Sequence, residues 1–109
     1  MMKAIEQYEK LVQHFEDGPD IAVGQMFGKR CIKVNGQAFI AQHQESVVFK
    51  LSGQSHAKAL ARPGAMLWDP SGKGRPMKEW VAPPASEAAI FSELADASIA
   101  YLSGGVQPD

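Results

Sequence analysis

Residues of the types that do chemistry are few in this chain, and their spacing assembles none of the common reactive sets. Cys31 is the single cysteine, which excludes an internal disulfide and a cysteine-rich zinc site. Lys29, Arg30 and Lys33 lie close to it in sequence, and a basic setting is what makes a thiol reactive. A lone cysteine in an alternating run otherwise packs as a small apolar group. The histidines are His14, His43 and His56. They show no i, i+4 pairing and no HExxH motif, so their spacing implies no metal. No serine sits in a GxSxG elbow. Glu45, Asp69 and Glu79 have no defined partner for proton transfer. Gly72-Lys73-Gly74-Arg75 lacks the full glycine-lysine pattern of a phosphate cradle. It reads as a hairpin loop that offers Lys73 and Arg75 to an anion. Trp68 and Trp80 have the flat faces that stack on bases, although side chains of this size more often fill a core. These residues define no catalytic set, no metal and no cofactor. The expectation is a protein that binds rather than one that catalyses.

What the sequence offers instead is a charge layout. The 109 residues hold 11 Lys+Arg and 12 Asp+Glu, a net charge of −1. Residues 1–28 carry 2 basic and 5 acidic groups, residues 29–78 carry 9 basic and 2 acidic, and residues 79–109 carry no basic and 5 acidic. A basic middle between acidic ends is a hint of polyanion partners. The candidate phosphate-contacting residues are Lys29, Arg30, Lys33, Lys50, Lys73, Arg75 and Lys78. The plainer alternative is lysine on solvated strand faces, balanced by acidic helices nearby.

These residues need a scaffold, and the apolar periodicity supplies one. Hydrophobic residues make up 45% and charged residues 21%, which suits one folded domain over residues 1–109 and excludes a disordered chain. Ile5, Tyr8, Leu11, Val12 and Phe15 share one face of a helix over residues 2–16, closed by Gly18-Pro19. Residues 30–34, 37–43 and 46–51 alternate as three antiparallel strands. Asn35-Gly36 is the turn between the first two. The first strand is expected to begin near Val23 and to bend at Gly28. A short helix over 54–62, capped by Ser52 or Ser55, precedes two strands, one over 65–69 and one from Arg75 or Met77 to Val81. The last helix runs over 86–102 with Ser86 as its cap. Ile90, Phe91, Leu94, Ala97, Ser98 and Tyr101 form its buried stripe. The order α-β-β-β-α-β-β-α makes a two-layer α+β domain with helices on one face of an antiparallel sheet.

If Ile32, Val34, Phe39, Ala41, Val47 and Phe49 lie under the helices, then Cys31, Lys33, Ile40, Val48 and Lys50 face the other way. Ile40 and Val48 then become cross-strand neighbours on an exposed, otherwise basic face. That arrangement marks a partner surface, including one for a second copy of the chain.

Four segments occur in a familiar order: Met26-Phe27-Gly28, Cys31-Ile32-Lys33-Val34-Asn35-Gly36-Gln37-Ala38-Phe39, Val48-Phe49-Lys50-Leu51, and Gly74-Arg75-Pro76-Met77-Lys78-Glu79-Trp80-Val81. Together they resemble the TfoX/Sxy N-terminal domain family, related to the MmcQ/YjbR group, over about residues 4–103. The resemblance implies a fold like that of type III secretion chaperones. It brings no catalytic residues and no cofactor. By analogy with YjbR-like relatives it implies DNA binding. The full-length competence regulators have a second, C-terminal domain, which these residues do not include, so the resemblance does not extend to competence regulation. Many relatives follow Gly28 with another glycine; Lys29 here adds charge at the bend.

The expected function is therefore a non-enzymatic bacterial binding module, regulatory in type, with nucleic-acid contacts through the basic sheet and loop. The alternatives are a protein-interaction or homodimerisation domain using Ile40 and Val48, and a small-ligand binder or enzyme with a cleft near Trp80 and Arg75. No run approaches the ~20 apolar residues of a membrane span, and the first residues lack the apolar core of a secretory leader. With one cysteine, the expected compartment is the cytoplasm and no membrane partner is expected.

Overall fold

A computed structural model describes residues 3–18, 20–26, 28–43, 46–69, 73–74, 76–84 and 89–102. Helix α1 is Ala4–Phe15, and its buried residues Ala4, Gln7, Tyr8, Leu11 and Phe15 recur at spacings of three and four. That period sets one stripe against the sheet. Four strands follow: β1 Ile21–Met26, β2 Lys29–Val34, β3 Gln37–His43 and β4 Ser46–Lys50. Then come helix α2 Gly53–Leu60, strands β5 Met66–Trp68 and β6 Met77–Ala82, and helix α3 Phe91–Leu102. The strands form one six-stranded sheet in the order β1-β2-β3-β4-β6-β5, and every neighbouring pair is antiparallel.

The class and the succession of helices and strands follow the sequence reading. The bend expected at Gly28 is a full reversal: Gly28 has φ +75, and Met26 pairs with Lys29 across it. The segment from Ile21 therefore lies beside β2 as a strand of its own. Asn35 and Gly36 have φ +52 and +80, the pair of positive values a tight type I′ hairpin turn requires. Ser52 occupies the N-cap position of α2 but makes no side-chain capping bond. Ser86, expected to cap the last helix, lies outside the described residues.

The sheet carries a core on each face. On one side, Ile32, Val34, Phe39, Ile40, Val47, Phe49 and Val81 pack with residues of all three helices, including Tyr8, Leu11, Ala59, Phe91 and Leu94. Phe91 meets Phe49 edge-on at 5.2 Å between ring centres. On the other side, Cys31, Ala41, Val48, Trp68, Trp80 and Ala82 form a second cluster drawn from strands alone. Polar bonds join the layers. The buried Ser98 hydroxyl of α3 donates to the Lys50 carbonyl at 2.6 Å, and the His56 Nε2 of α2 lies 2.7 Å from the Lys78 carbonyl.

The exposed Ile40–Val48 pair expected from alternation does not exist. Both residues are 0% exposed, and they lie on opposite faces. The cause is a bulge in β3. Ile32 pairs with Ile40 but Lys33 pairs with Ala38, so Phe39 is an extra residue in the ladder. An extra residue reverses the phase of alternation beyond it. Phe39 and Ile40 thus both enter the helix-side core, and Ala41 turns to the other face with Val48, its partner across the β3–β4 ladder. Truncating Ile40 to alanine should therefore cost about 2–5 kcal/mol of stability, as for other buried isoleucines. Urea unfolding of Ile40→Ala checks this; a loss below about 0.5 kcal/mol, typical of surface positions, would contradict the burial.

Candidate functional site

Strand alternation sorts the basic residues between the two faces. In β2, Arg30 shares its parity with Ile32 and Val34, on the helix side. Its guanidinium lies 3.6 Å from the Glu9 carboxylate of α1, and both side chains are more than half exposed. Lys29 and Lys33 share the parity of Cys31, on the strand-only face. In β4, Lys50 shares the parity of Val48 on that same face. Lys33 and Lys50 flank the bulged stretch of β3, two strand spacings apart, about 10 Å. Lys29 lies four residues along β2 from Lys33, about 13 Å in extended chain.

Local packing fixes these lysines in different ways. Lys33 lies across Gly24 of β1: a Cβ added at Gly24 would stand 3.3 Å from its Cε and 3.6 Å from its Nζ. The glycine leaves room for the lysine stem to lie flat on the neighbouring strand. Lys29 sits near enough to His43 for its charge to push the imidazole pKa down. The strands carry five cations, Lys29, Arg30, Lys33, Lys50 and Lys78, against one acid, Glu79. Glu79 accepts a short hydrogen bond from the Tyr101 hydroxyl of α3, a bond that raises the Tyr101 pKa.

Lys78 is exposed at the start of β6. Lys73 is also exposed, next to Gly74, whose N–H donates to Asp69 Oδ2 at 2.8 Å. Arg75 lies outside the described residues. The structure thus brings Lys29, Lys33 and Lys50 together and sets Arg30 behind the sheet.

Trp68 and Trp80 belong to the same face, on β5 and β6, the strands beyond Lys50 of β4. Each is 3% exposed, and their rings meet edge-on at 5.2 Å between centres. Packed this way they offer no free face for a base. Cys31 of β2, in the same cluster, is fully buried, and burial pushes its thiol pKa up, against a smaller opposing effect of Lys33. It is a core thiol, with none of the thiolate character that reactivity needs. Among the described residues no group of three His, Cys, Asp or Glu side chains is arranged to hold a metal. None of the described helices is long and apolar enough to cross a membrane.

Two features were not singled out in the sequence. One is the hydrogen bond from Trp68 Nε1 to His43 Nδ1, 2.8 Å long. The other is an open groove of about 630 Å³ between α1 and β1, lined among others by Tyr8, Val12, Val23 and Arg30. Both join residues far apart in the chain, which no local periodicity marks. Compared with known proteins, the chain matches no family model, no curated protein and no solved structure.

The His43–Trp68 bond makes a pH prediction. Nδ1 accepts only while the imidazole is neutral, with its proton on Nε2. Burial first, and then the Lys29 charge, hold the His43 pKa below its usual value. The unfolded chain therefore takes up the proton first as pH falls below about 6.5. Stability is full above that value and declines until the folded pKa is reached. Tryptophan emission should titrate with a midpoint below about 6.5, and His43→Asn, which keeps an acceptor near Nδ1, should abolish the step. Emission that stays flat from about pH 8 down to the onset of acid unfolding would contradict the assignment.

Proposed function

We propose that this protein is a non-enzymatic binding module of TfoX N-terminal type that contacts nucleic-acid phosphates through the strand-only face of its sheet. The observation that carries the reading is the convergence of Lys29, Lys33 and Lys50 on that face, with the strands' one acid turned to Tyr101 of α3. The acidic residues Glu6 and Glu9 of α1, Glu16 at its C-cap, and Glu93 and Asp96 of α3 belong to the opposite layer. A polyanion approaching the lysine face meets attraction first, and the dipolar charge layout orients it. The lysine separations of about 10 and 13 Å match roughly three to four base-pair rises of 3.4 Å. The segments that resemble the TfoX/Sxy family support the same reading.

The mechanism is electrostatic. Each lysine that meets a phosphate releases a condensed counterion, and that release drives binding. With both tryptophans packed edge-on and 3% exposed, stacking on bases contributes nothing, so little sequence preference is expected. A labelled 20-base-pair duplex titrated by fluorescence anisotropy tests the reading. Three phosphate contacts should weaken binding about 40-fold between 50 and 200 mM salt. The double variant Lys33→Glu, Lys50→Glu should lose nearly all binding while remaining folded. Absence of binding at the lower salt, or a charge-reversed variant that still binds, would rule the proposal out.

A further inference from the structure

The opposite edge of the molecule carries a second, unrelated surface. β1 is the end strand of the sheet and pairs with β2 alone. Natural edge strands are usually blunted by a charged residue, a proline, a bulge or extreme shortness. β1 has none of these: it is six residues, Ile-Ala-Val-Gly-Gln-Met, in unbroken register with β2. Its outward groups can be assigned. The Asn35 N–H donates to the Asp20 carbonyl, and hydrogen-bonded pairs alternate along an antiparallel ladder. Ala22 and Gly24 therefore bond to β2, while the N–H and C=O of Val23 and Gln25 point away from the sheet.

The groove between α1 and β1 opens beside this edge. Val23 stands opposite Ile32 and so points toward the helix layer, yet it is 54% exposed. Across from it, Glu9, Val12 and Gln13 of α1 form one stripe with Glu16 at the helix C-cap. The Tyr8 hydroxyl is buried in this region with no hydrogen-bond partner among the described residues. An orphaned buried hydroxyl is uncommon in a folded protein. Burial pushes its pKa up to about 12, so it remains a donor at neutral pH.

We propose that the β1 edge takes up an extended peptide segment as a seventh strand, with alternate apolar side chains in the α1–β1 groove and a lysine or arginine toward Glu16. The backbone of Val23 and Gln25 supplies the ladder bonds, and the groove supplies the side-chain selection, as in other strand-addition complexes. Charge fixes the chemistry. Arg30 is already matched by Glu9, and Glu16 adds a further carboxylate to the same wall, so the groove attracts a cation. A second copy of this chain is a poorer occupant. β1 carries no lysine or arginine, so pairing β1 with β1 would bring no cation to Glu16 and would join two acidic walls. This surface lies across the sheet from the lysine face and does not depend on it.

The test uses a fluorescein-labelled hexapeptide alternating valine with threonine and ending in lysine, and a control ending in glutamate. The full chain should bind the lysine peptide saturably and at least about 5-fold more tightly than the control, a modest but measurable electrostatic preference. In ¹⁵N-labelled protein the Val23 and Gln25 amides should shift. Gln25→Pro removes an outward N–H that β2 does not use, so the fold survives and binding should fall at least about 10-fold. Val23→Lys, which charges the edge, should do the same. The proposal fails if neither peptide binds, or if either folded variant binds as well as the parent. It also fails if light scattering shows a dimer that Val23→Lys dissolves, because the edge then belongs to a second copy.

Discussion

A six-stranded sheet has two faces to keep from water, and all three helices pack on one of them. The other must be closed by the strands' own side chains. Trp68 and Trp80 supply the area, since aromatic residues bury more surface than any other type. They meet edge-on and form one buried cluster with Cys31, Ala41, Val48 and Ala82. The His43 Nδ1 satisfies the Trp68 Nε1 hydrogen, which would otherwise be a costly unpaired donor in a half-buried place. The rest of the face is then set: small residues near the tryptophans, and lysine stems around them with their charges outward.

That closure decides what each surface can do. A face floored by exposed aromatics would bind single strands by stacking. A face whose aromatics are packed retains only its charges, and the proposed phosphate contacts of Lys29, Lys33 and Lys50 lie there. The helix layer behaves differently. α1 covers the sheet's centre at β3 and β4 and leaves β1 uncovered, so a groove opens there with an acidic helix wall and an unblunted backbone edge. The two surfaces share one sheet but differ in sign of charge.

Much of this was legible in the sequence, and the failures have identifiable causes. α1 is plain because Tyr8, Leu11 and Phe15 repeat at helical spacing, and Asn35-Gly36 admits one turn geometry. Lys33 and Lys50 of the second face follow from simple alternation. Grouping Arg30 with them by nearness in sequence fails, because the same alternation puts it on the helix side beside Glu9. The phase of β3 is illegible because Ala38-Phe39-Ile40-Ala41 is an unbroken apolar run with no polar residue to mark a side. A bulge at Phe39 reads the same as regular alternation, so Ile40 was assigned to the wrong face. The reversal at Gly28 is hidden for a similar reason, since one glycine suits a bend or a hairpin equally. The α1–β1 groove could not be read at all, because Tyr8 and Val23 meet only through the tertiary fold.

Cys31 sits where the closure of the second face can be measured directly. Its thiol should resist labelling by an aromatic disulfide reagent in native buffer. It should react only at the rate at which the whole domain unfolds, with the same urea dependence as loss of helix signal. Labelling within seconds in native buffer would contradict the account. It would mean that the tryptophan pair does not seal the face, that aromatic surface is open to a ligand, and that charge is not the face's sole means of recognition.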